Sequence, residues 1–254
     1  MITQPFSSLV TRVFDSYWNF FPNHIAPQIH ELFCKEKDNN IEETLLDVCC
    51  GSGHFGKYFL EKGFSVTGID LSDKAIELAQ EKTKHFGSKA SWIKGNASDF
   101  DLGQKFSLAV STFDSLNYLE DLNALESCFK CVDNHLLDKG FFLFDLYTAM
   151  GMKKLNNISV DESETLTSIF RGYYDGKSEK AFLKISGFLK TNDQLYERFE
   201  DNLTLYVFQI NLVEKMLREN NFKDVRYYQI GSDKLKRIEF PENLERVMIY
   251  ARKN

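Results

Sequence analysis

Residues 44–70, TLLDVCCGSGHFGKYFLEKGFSVTGID, decide the fold. Leu45, Leu46 and Val48 form the short apolar run of a strand buried in a parallel sheet. Gly51 and Gly53 predict a tight turn in which the backbone can approach a ligand closely. Phe55–Lys62 has the length of a helix, and Gly63 stands where helices usually stop. Phe64–Ile69 reads as a second strand, with Asp70 at its carboxyl end. Open α/β sheets bind ligands outside those carboxyl ends. A carboxylate at the tip of the second strand is placed to accept two hydrogen bonds from a ribose diol.

The stretch Gly51-Ser52-Gly53-His54-Phe55-Gly56 fits G-x-G-x-x-G, the dinucleotide fingerprint, which is weak by itself. Asp47 discriminates. In the strand just before the turn, its carboxylate would lie near the pyrophosphate of NAD, where like charges repel in a half-buried site. S-adenosylmethionine carries no phosphate; its ammonium and sulfonium favour an acid nearby. The string Asp47-Val48-Cys49-Cys50-Gly51-Ser52-Gly53 resembles the first motif of class I S-adenosylmethionine-dependent methyltransferases, with Cys49 in the first glycine place. The resemblance covers roughly residues 40–148 strongly and 208–252 by pattern. It implies an α/β fold: a doubly wound, seven-stranded, mostly parallel Rossmann-like sheet. It also implies S-adenosylmethionine as cofactor. The residues it assigns to cofactor binding are Asp47, Cys49, Gly51, Gly53, Asp70, Leu71, Asn96, Ala97 and Phe113.

Length and composition agree with that frame. The chain has 254 residues, enough for one α/β domain with an insertion. A net charge of −6 argues against the phosphate attraction of a dedicated nucleic-acid binder. No apolar run approaches membrane-spanning length, and MITQPFSSLVTR lacks a signal-peptide pattern, so a cytoplasmic location and no membrane partner are expected. Five scattered cysteines suit a reducing compartment. Cys128 and Cys131 form C-x-x-C inside a helical pattern, with no second pair to complete a zinc site; packing is the expected role, and no metal is expected.

Residues 1–39 read as a helical lid. Leu9, Val10, Val13, Phe14, Tyr17 and Trp18 recur at helical spacing, Pro22 and Pro27 bracket a break, and Ile25, Ile29, Leu32 and Phe33 resume the pattern. Arg12, Asp15, Tyr17 and His24 are its polar residues able to reach inward, with His24 better suited to a surface or capping place. Lys35–Glu43 is a polar linker. Residues 40–148 and 208–254 are expected to form the cofactor-binding core. Ser72 caps a helix to about Phe86, and Ser91–Lys94 is a third strand. The turn Gly95-Asn96-Ala97-Ser98-Asp99 frames an adenine in the resembled family, where the Asn96 carbonyl can accept from the exocyclic amine. Phe106–Thr112 is a fourth strand. It leads into Phe113-Asp114-Ser115-Leu116-Asn117-Tyr118, similar to a subset of these enzymes that act on small molecules. Asp114 and Ser115 suit helix capping equally. Asp121 caps Leu122–Leu137, which buries Leu122, Leu125, Phe129, Val132 and Leu136, and Phe141–Tyr147 is a central fifth strand.

Residues 149–207 predict an antiparallel insertion of three strands, Leu166–Tyr174, Ala181–Leu189 and Leu195–Val207, with turns at Asp175-Gly176 and Thr191-Asn192-Asp193. Arg171, Tyr173, Tyr174, Tyr196, Arg198 and Tyr206 make it a candidate substrate wall, although a purely structural cap fits as well. Phe208–Asn221 is the last helix, with Leu212, Val213, Met216 and Leu217 inward. Phe222–Ile230 and Arg246–Ala251 close the sheet, the second antiparallel. The expected reaction is methyl transfer to an amine or hydroxyl of a small-molecule acceptor. Tyr17, Asp114 and Tyr118 are the candidate catalytic residues. An NAD(P)-dependent oxidoreductase and a non-catalytic S-adenosylmethionine-binding protein remain as alternatives, and the oligomeric state is open.

Overall fold

The computed structural model describes residues 6–39, 41–192 and 195–254. Residues 1–5 of the expected lid, residue 40 of the linker and Asp193 of the expected turn lie outside the described residues. In chain order the elements are α1 (Ser8–Tyr17), α2 (Phe20–Glu36), β1 (Thr44–Val48), α3 (His54–Glu61), β2 (Ser65–Asp70), α4 (Asp73–Thr83), β3 (Ala90–Lys94), β4 (Phe106–Ser111), α5 (Leu122–His135) and β5 (Leu136–Tyr147). Then come α6 (Ala149–Lys154), β6 (Ile158–Glu162), β7 (Leu166–Asp175), β8 (Lys180–Asn192), β9 (Leu195–Tyr206), α7 (Ile210–Glu219), β10 (Phe222–Ile230), β11 (Leu235–Ile238) and β12 (Arg246–Lys253).

The main sheet has the order β11-β10-β12-β5-β4-β1-β2-β3. Strands β1 to β5 pair in parallel, and β12 runs antiparallel between β5 and β10. The fold is Rossmann-like, as expected, with an eighth strand beyond the seven anticipated: the four-residue β11, hydrogen-bonded to the β10 edge. Helices cover both faces. On one side α2, α3 and α4 bury Phe33, Phe59 and Ala79 against Leu45, Leu108 and Leu143. On the other, α5 and α7 bury Phe129, Val132 and Leu217 against Leu46, Phe142 and Ile249. Leu122 and Leu212, expected inward, are largely exposed at the helix ends.

The lid divides differently from expectation. The helix break falls at Trp18–Asn19, not between the prolines. Pro22 occupies the first turn of α2, where backbone N–H groups have no intrahelical acceptor, and the helix runs on through Pro27. Helix α2 is a layer of the core sheet, whereas α1 packs Val10 and Val13 into the core of the insertion. The insertion is a four-stranded antiparallel sheet, β6-β7-β8-β9, preceded by α6. Both α6 and β6 escaped the sequence reading; β6 is an edge strand whose Ile158 and Val160 point outward.

One packing detail fixes the turn after β1. Trp92 on β3 lies in a slot made by Gly53, Gly56 and Gly68, where an added Cβ would stand 3.0, 2.6 and 2.4 Å from its ring. The indole donates to Thr83 Oγ1 at 2.7 Å, and that hydroxyl donates to the Ala79 carbonyl. The polar edge of a buried indole is thereby satisfied.

Candidate active site

A cavity of about 620 Å³ opens at the carboxyl ends of β1, β2 and β4. Its floor is the turn after β1. Cys49, Gly51 and Gly53 all have positive φ there, at 60°, 53° and 76°. The left-handed conformation costs a non-glycine residue about 1–2 kcal/mol, so Cys49 carries strain where a glycine would not. Asp70 holds the turn from the neighbouring strand. Its Oδ2 accepts the Gly51 N–H at 2.9 Å, and its Oδ1 accepts the Ser72 N–H at 2.9 Å. Each oxygen keeps a lone pair for a further donor.

The two glycines separate by role. A Cβ on Gly51 would meet nothing within 4 Å, so this residue faces open cavity. A Cβ on Gly53 would stand 2.9 Å from Ala79 and 3.0 Å from Trp92. Gly53, expected to touch the cofactor, is a buried packing glycine behind the cavity wall. Asp47, Cys49, Asp70, Leu71, Asn96, Ala97 and Phe113 all line the cavity. Asn96 also uses its side-chain carbonyl locally, accepting the Ser98 N–H at 3.0 Å.

Asp47 is 1% exposed, and its Oδ2 has no hydrogen-bond partner. Burial, with Asp70 nearby, pushes its carboxyl up to about 8. An orphaned buried oxygen of this kind needs a proton or a cation. The ammonium of S-adenosylmethionine fits that need and the Asp70 lone pairs fit a ribose diol, so the residues present suit the cofactor.

The second side of the cavity is the turn after β4. Phe113 and Asp114 are both left-handed, with φ of 65° and 50°. Asp145, fully buried on β5, accepts their two backbone N–H groups at 2.7 and 2.9 Å. Arg246 at the start of β12 binds both acids, donating to Asp145 Oδ2 at 2.8 Å and to Asp114 Oδ1 at 2.6 Å. Its guanidinium lies 4.4 Å from the Phe21 ring centre and 4.3 Å from that of Tyr147. Burial raises the Asp114 carboxyl to about 7, against the lowering pull of Arg246. Burial also drives the Tyr118 phenol well above its ordinary value, so that hydroxyl stays protonated. Asn117 ties the turn to the insertion, accepting the Tyr147 N–H at 2.9 Å and donating to the Tyr206 carbonyl at 2.7 Å.

Phe14 of α1 and Trp18, which caps its end, roof the cavity. Tyr17, a catalytic candidate from the sequence, stands on the outer face of α1, 39% exposed and outside the lining. It lies three residues after Phe14 and one before Trp18, and those two take the inward positions. Asp15 fastens the roof to the floor: its Oδ1 accepts from Lys82 at 2.6 Å and lies 2.9 Å from His54 Nε2. Lys82 also donates to the Ser52 carbonyl at 3.0 Å. His24 sits elsewhere, against the Gly231 carbonyl.

The insertion presents Phe170, Leu183, Ile185 and Leu205 to the cavity. The tyrosines and arginines that marked this region in the sequence do not line it. Alternation along the strands sends Arg171, Tyr173 and Tyr196 to the outer face. Asp114 and Tyr118 are thus brought together with Asn117 of the same stretch and with Arg246 and Asp145, and the last two carry no local sequence signal. Cys128 is buried in the core and Cys131 half-buried. Among the described residues no cluster of three His, Cys, Asp or Glu side chains could hold a metal.

Residues 45–140 match the methyltransferase domain family. The chain is 28% identical over 181 residues to YqeM of Bacillus subtilis (strain 168), named as a methyltransferase, spanning 70% of this chain and 73% of that protein. It is 32% identical over 93 residues to the dTDP-3-amino-3,4,6-trideoxy-alpha-D-glucopyranose N,N-dimethyltransferase of Streptomyces venezuelae, spanning 37% of this chain and 38% of that protein. The crystal structure of an S-adenosylmethionine-dependent methyltransferase from Clostridium acetobutylicum ATCC 824 superposes with a TM-score of 0.80 at 21% identity, covering 97% of this chain and 98% of that one.

Proposed function

We propose that this chain, a class I S-adenosylmethionine-dependent methyltransferase, methylates an amine nitrogen of a small molecule held between the turn after β4 and the inner face of the β6–β9 sheet. The observation that carries the acceptor class is Asp114. It is a buried carboxyl on the cavity wall, raised to about 7, sharing one guanidinium with Asp145. Such a group is suited to binding an ammonium and taking its proton near neutral pH. The amino-sugar dimethyltransferase among the relatives agrees with an amine acceptor.

In this reading Asp47 holds the cofactor's ammonium and Asp70 its ribose, while Leu71, Asn96 and Ala97 flank the adenine. When bound, the cofactor supplies a sulfonium methyl, an electrophile that needs little further activation. The protein's work is then alignment and exclusion of water. Phe14, Trp18, Phe113 and Phe170 make the apolar enclosure, with Phe14 and Trp18 on the roof. Asp114 accepts from the acceptor nitrogen, and the protonated Tyr118 hydroxyl orients the acceptor as a donor. Asp47 speaks against a dinucleotide, whose pyrophosphate would meet its carboxylate.

Calorimetry with S-adenosylhomocysteine and with NADH tests the cofactor, and labelled methyl transfer to matched amines and alcohols tests the acceptor. Binding of the first ligand alone, with label moving to amines, is expected. NADH binding would sink the reading. Label moving only to alcohols would overturn the acceptor class. Binding without transfer to any amine or phenol would favour a non-catalytic role.

A further inference from the structure

The turn after β4 is held in place by two side chains that belong to other strands. We propose that Asp145 and Arg246 are positioning residues, which together fix where the Asp114 carboxylate presents its charge to the acceptor. This inference rests on the reading that the Phe113–Tyr118 turn faces the acceptor.

Strand β5 is apolar around Asp145: Phe142, Leu143, Phe144 and Leu146 are all fully buried. A carboxylate there is expensive unless it has work to do. Both its oxygens accept backbone N–H groups of the strained pair Phe113 and Asp114, and Oδ2 also receives Arg246. Without Asp145, two buried donors in a disfavoured conformation would lose their acceptors, and the turn would relax. Arg246 closes the unit from the opposite side, bridging Asp145 to Asp114 with separate nitrogens. The flanking Phe21 and Tyr147 rings confine its guanidinium to one plane. The titratable groups around the unit are Asp114, Asp145, Arg246, Tyr118 and Tyr147. Two carboxylates share the one guanidinium, and of the two it is Asp114 that lines the cavity.

The test uses two cofactor analogues and needs no knowledge of the acceptor. In sinefungin a carbon bearing an ammonium replaces the sulfonium and its methyl; S-adenosylhomocysteine has a neutral thioether sulfur there. The ratio of their affinities reads the charge presented at the transfer position. The wild-type protein should prefer sinefungin by about tenfold or more, as expected for a charge-assisted hydrogen bond. Asp114→Asn should bring the ratio near one. Asp145→Asn and Arg246→Lys should leave S-adenosylhomocysteine affinity within about threefold, yet shrink the sinefungin preference by about fivefold or more. A merely structural role would weaken both ligands alike or neither. An unchanged preference in both variants, or none in the wild type, overturns the proposal while leaving the cofactor assignment standing. Failure of the wild type to bind S-adenosylhomocysteine removes the functional reading, and this inference with it. Should Asp145→Asn fail to fold by thermal melting, Arg246→Lys alone decides.

Discussion

The turns after β1 and after β4 solve one problem in two ways. Both leave the sheet at its carboxyl edge, both use left-handed residues, and both are gripped by a carboxylate from the adjacent strand. In the first, two of the three left-handed residues are glycines, and Asp70 lies nineteen residues from the N–H it accepts. In the second, the left-handed residues are Phe113 and Asp114, and the conformation is imposed from β5 and β12. The turn after β1 is thus close to self-sufficient, whereas the turn after β4 depends on the assembled sheet. The second turn can bear bulky and charged side chains because residues of β5 and β12 hold it.

The comparison breaks most severely at the glycines. Gly53→Val forces a Cβ into Ala79 and Trp92 and strains the backbone, and should destabilise the fold by about 2–5 kcal/mol, read by urea denaturation. Gly51→Val should instead cost only about 1–2 kcal/mol of stability, yet abolish cofactor binding, because its side chain enters open cavity. Equal loss of stability in both variants would erase the distinction between packing and ligand-facing glycines.

Next in size is Asp70→Ala, which removes the grip on the Gly51 turn along with the proposed acceptor for ribose. Affinity for S-adenosylhomocysteine should fall by about 1.5–3 kcal/mol in calorimetry. A drop below about threefold would restrict Asp70 to holding backbone. Asp47 offers a pH signature. Its carboxyl is raised to about 8 in the folded protein, so the native state holds a proton that the unfolded chain releases near pH 4. The contribution of Asp47 to stability is therefore fully present below about pH 4 and is lost as pH rises through 8. Asp47→Asn should remove that decline, the stability gap over wild type widening from pH 5 to pH 8 to about 2 kcal/mol or more. A gap that stays flat would show that the buried acid remains ionised. The smallest effect is expected at the roof. Asp15→Asn loosens its tie to Lys82 and His54, and stopped-flow should show S-adenosylhomocysteine leaving about three- to tenfold faster.

The same division governs what the sequence disclosed. Asp47, Gly51 and Asp70 lie in one 24-residue run whose strand, turn and helix signals are local, so their convergence was legible. Arg246 sits 101 residues from Asp145 and 132 from Asp114, and nothing in its neighbourhood announces a buried cation. Tyr17 was misplaced because a six-residue apolar stripe covers more of a helix than one face can bury; Phe14 and Trp18 won the inward positions. In the insertion, the abundance of tyrosine and arginine drew attention from the alternation that sends Phe170 inward and Arg171 and Tyr173 outward. The edge strands β6 and β11 are short, partly polar and dependent on their neighbours' hydrogen bonds, so propensity alone does not reveal them.

The slot that holds Trp92 has an optical consequence. The chain contains two tryptophans. Trp92 is sealed beneath the cofactor-side turn, while Trp18 faces the cavity from the roof, 4.8 Å from the Phe170 ring. One indole is thus shielded from solvent by glycines and the other is exposed to whatever fills the cavity. Each chromophore watches a different half of the site. Excitation of the native protein reports both at once, and Trp18→Phe isolates the buried emitter, leaving a molecule that signals the state of its cofactor turn without any attached dye.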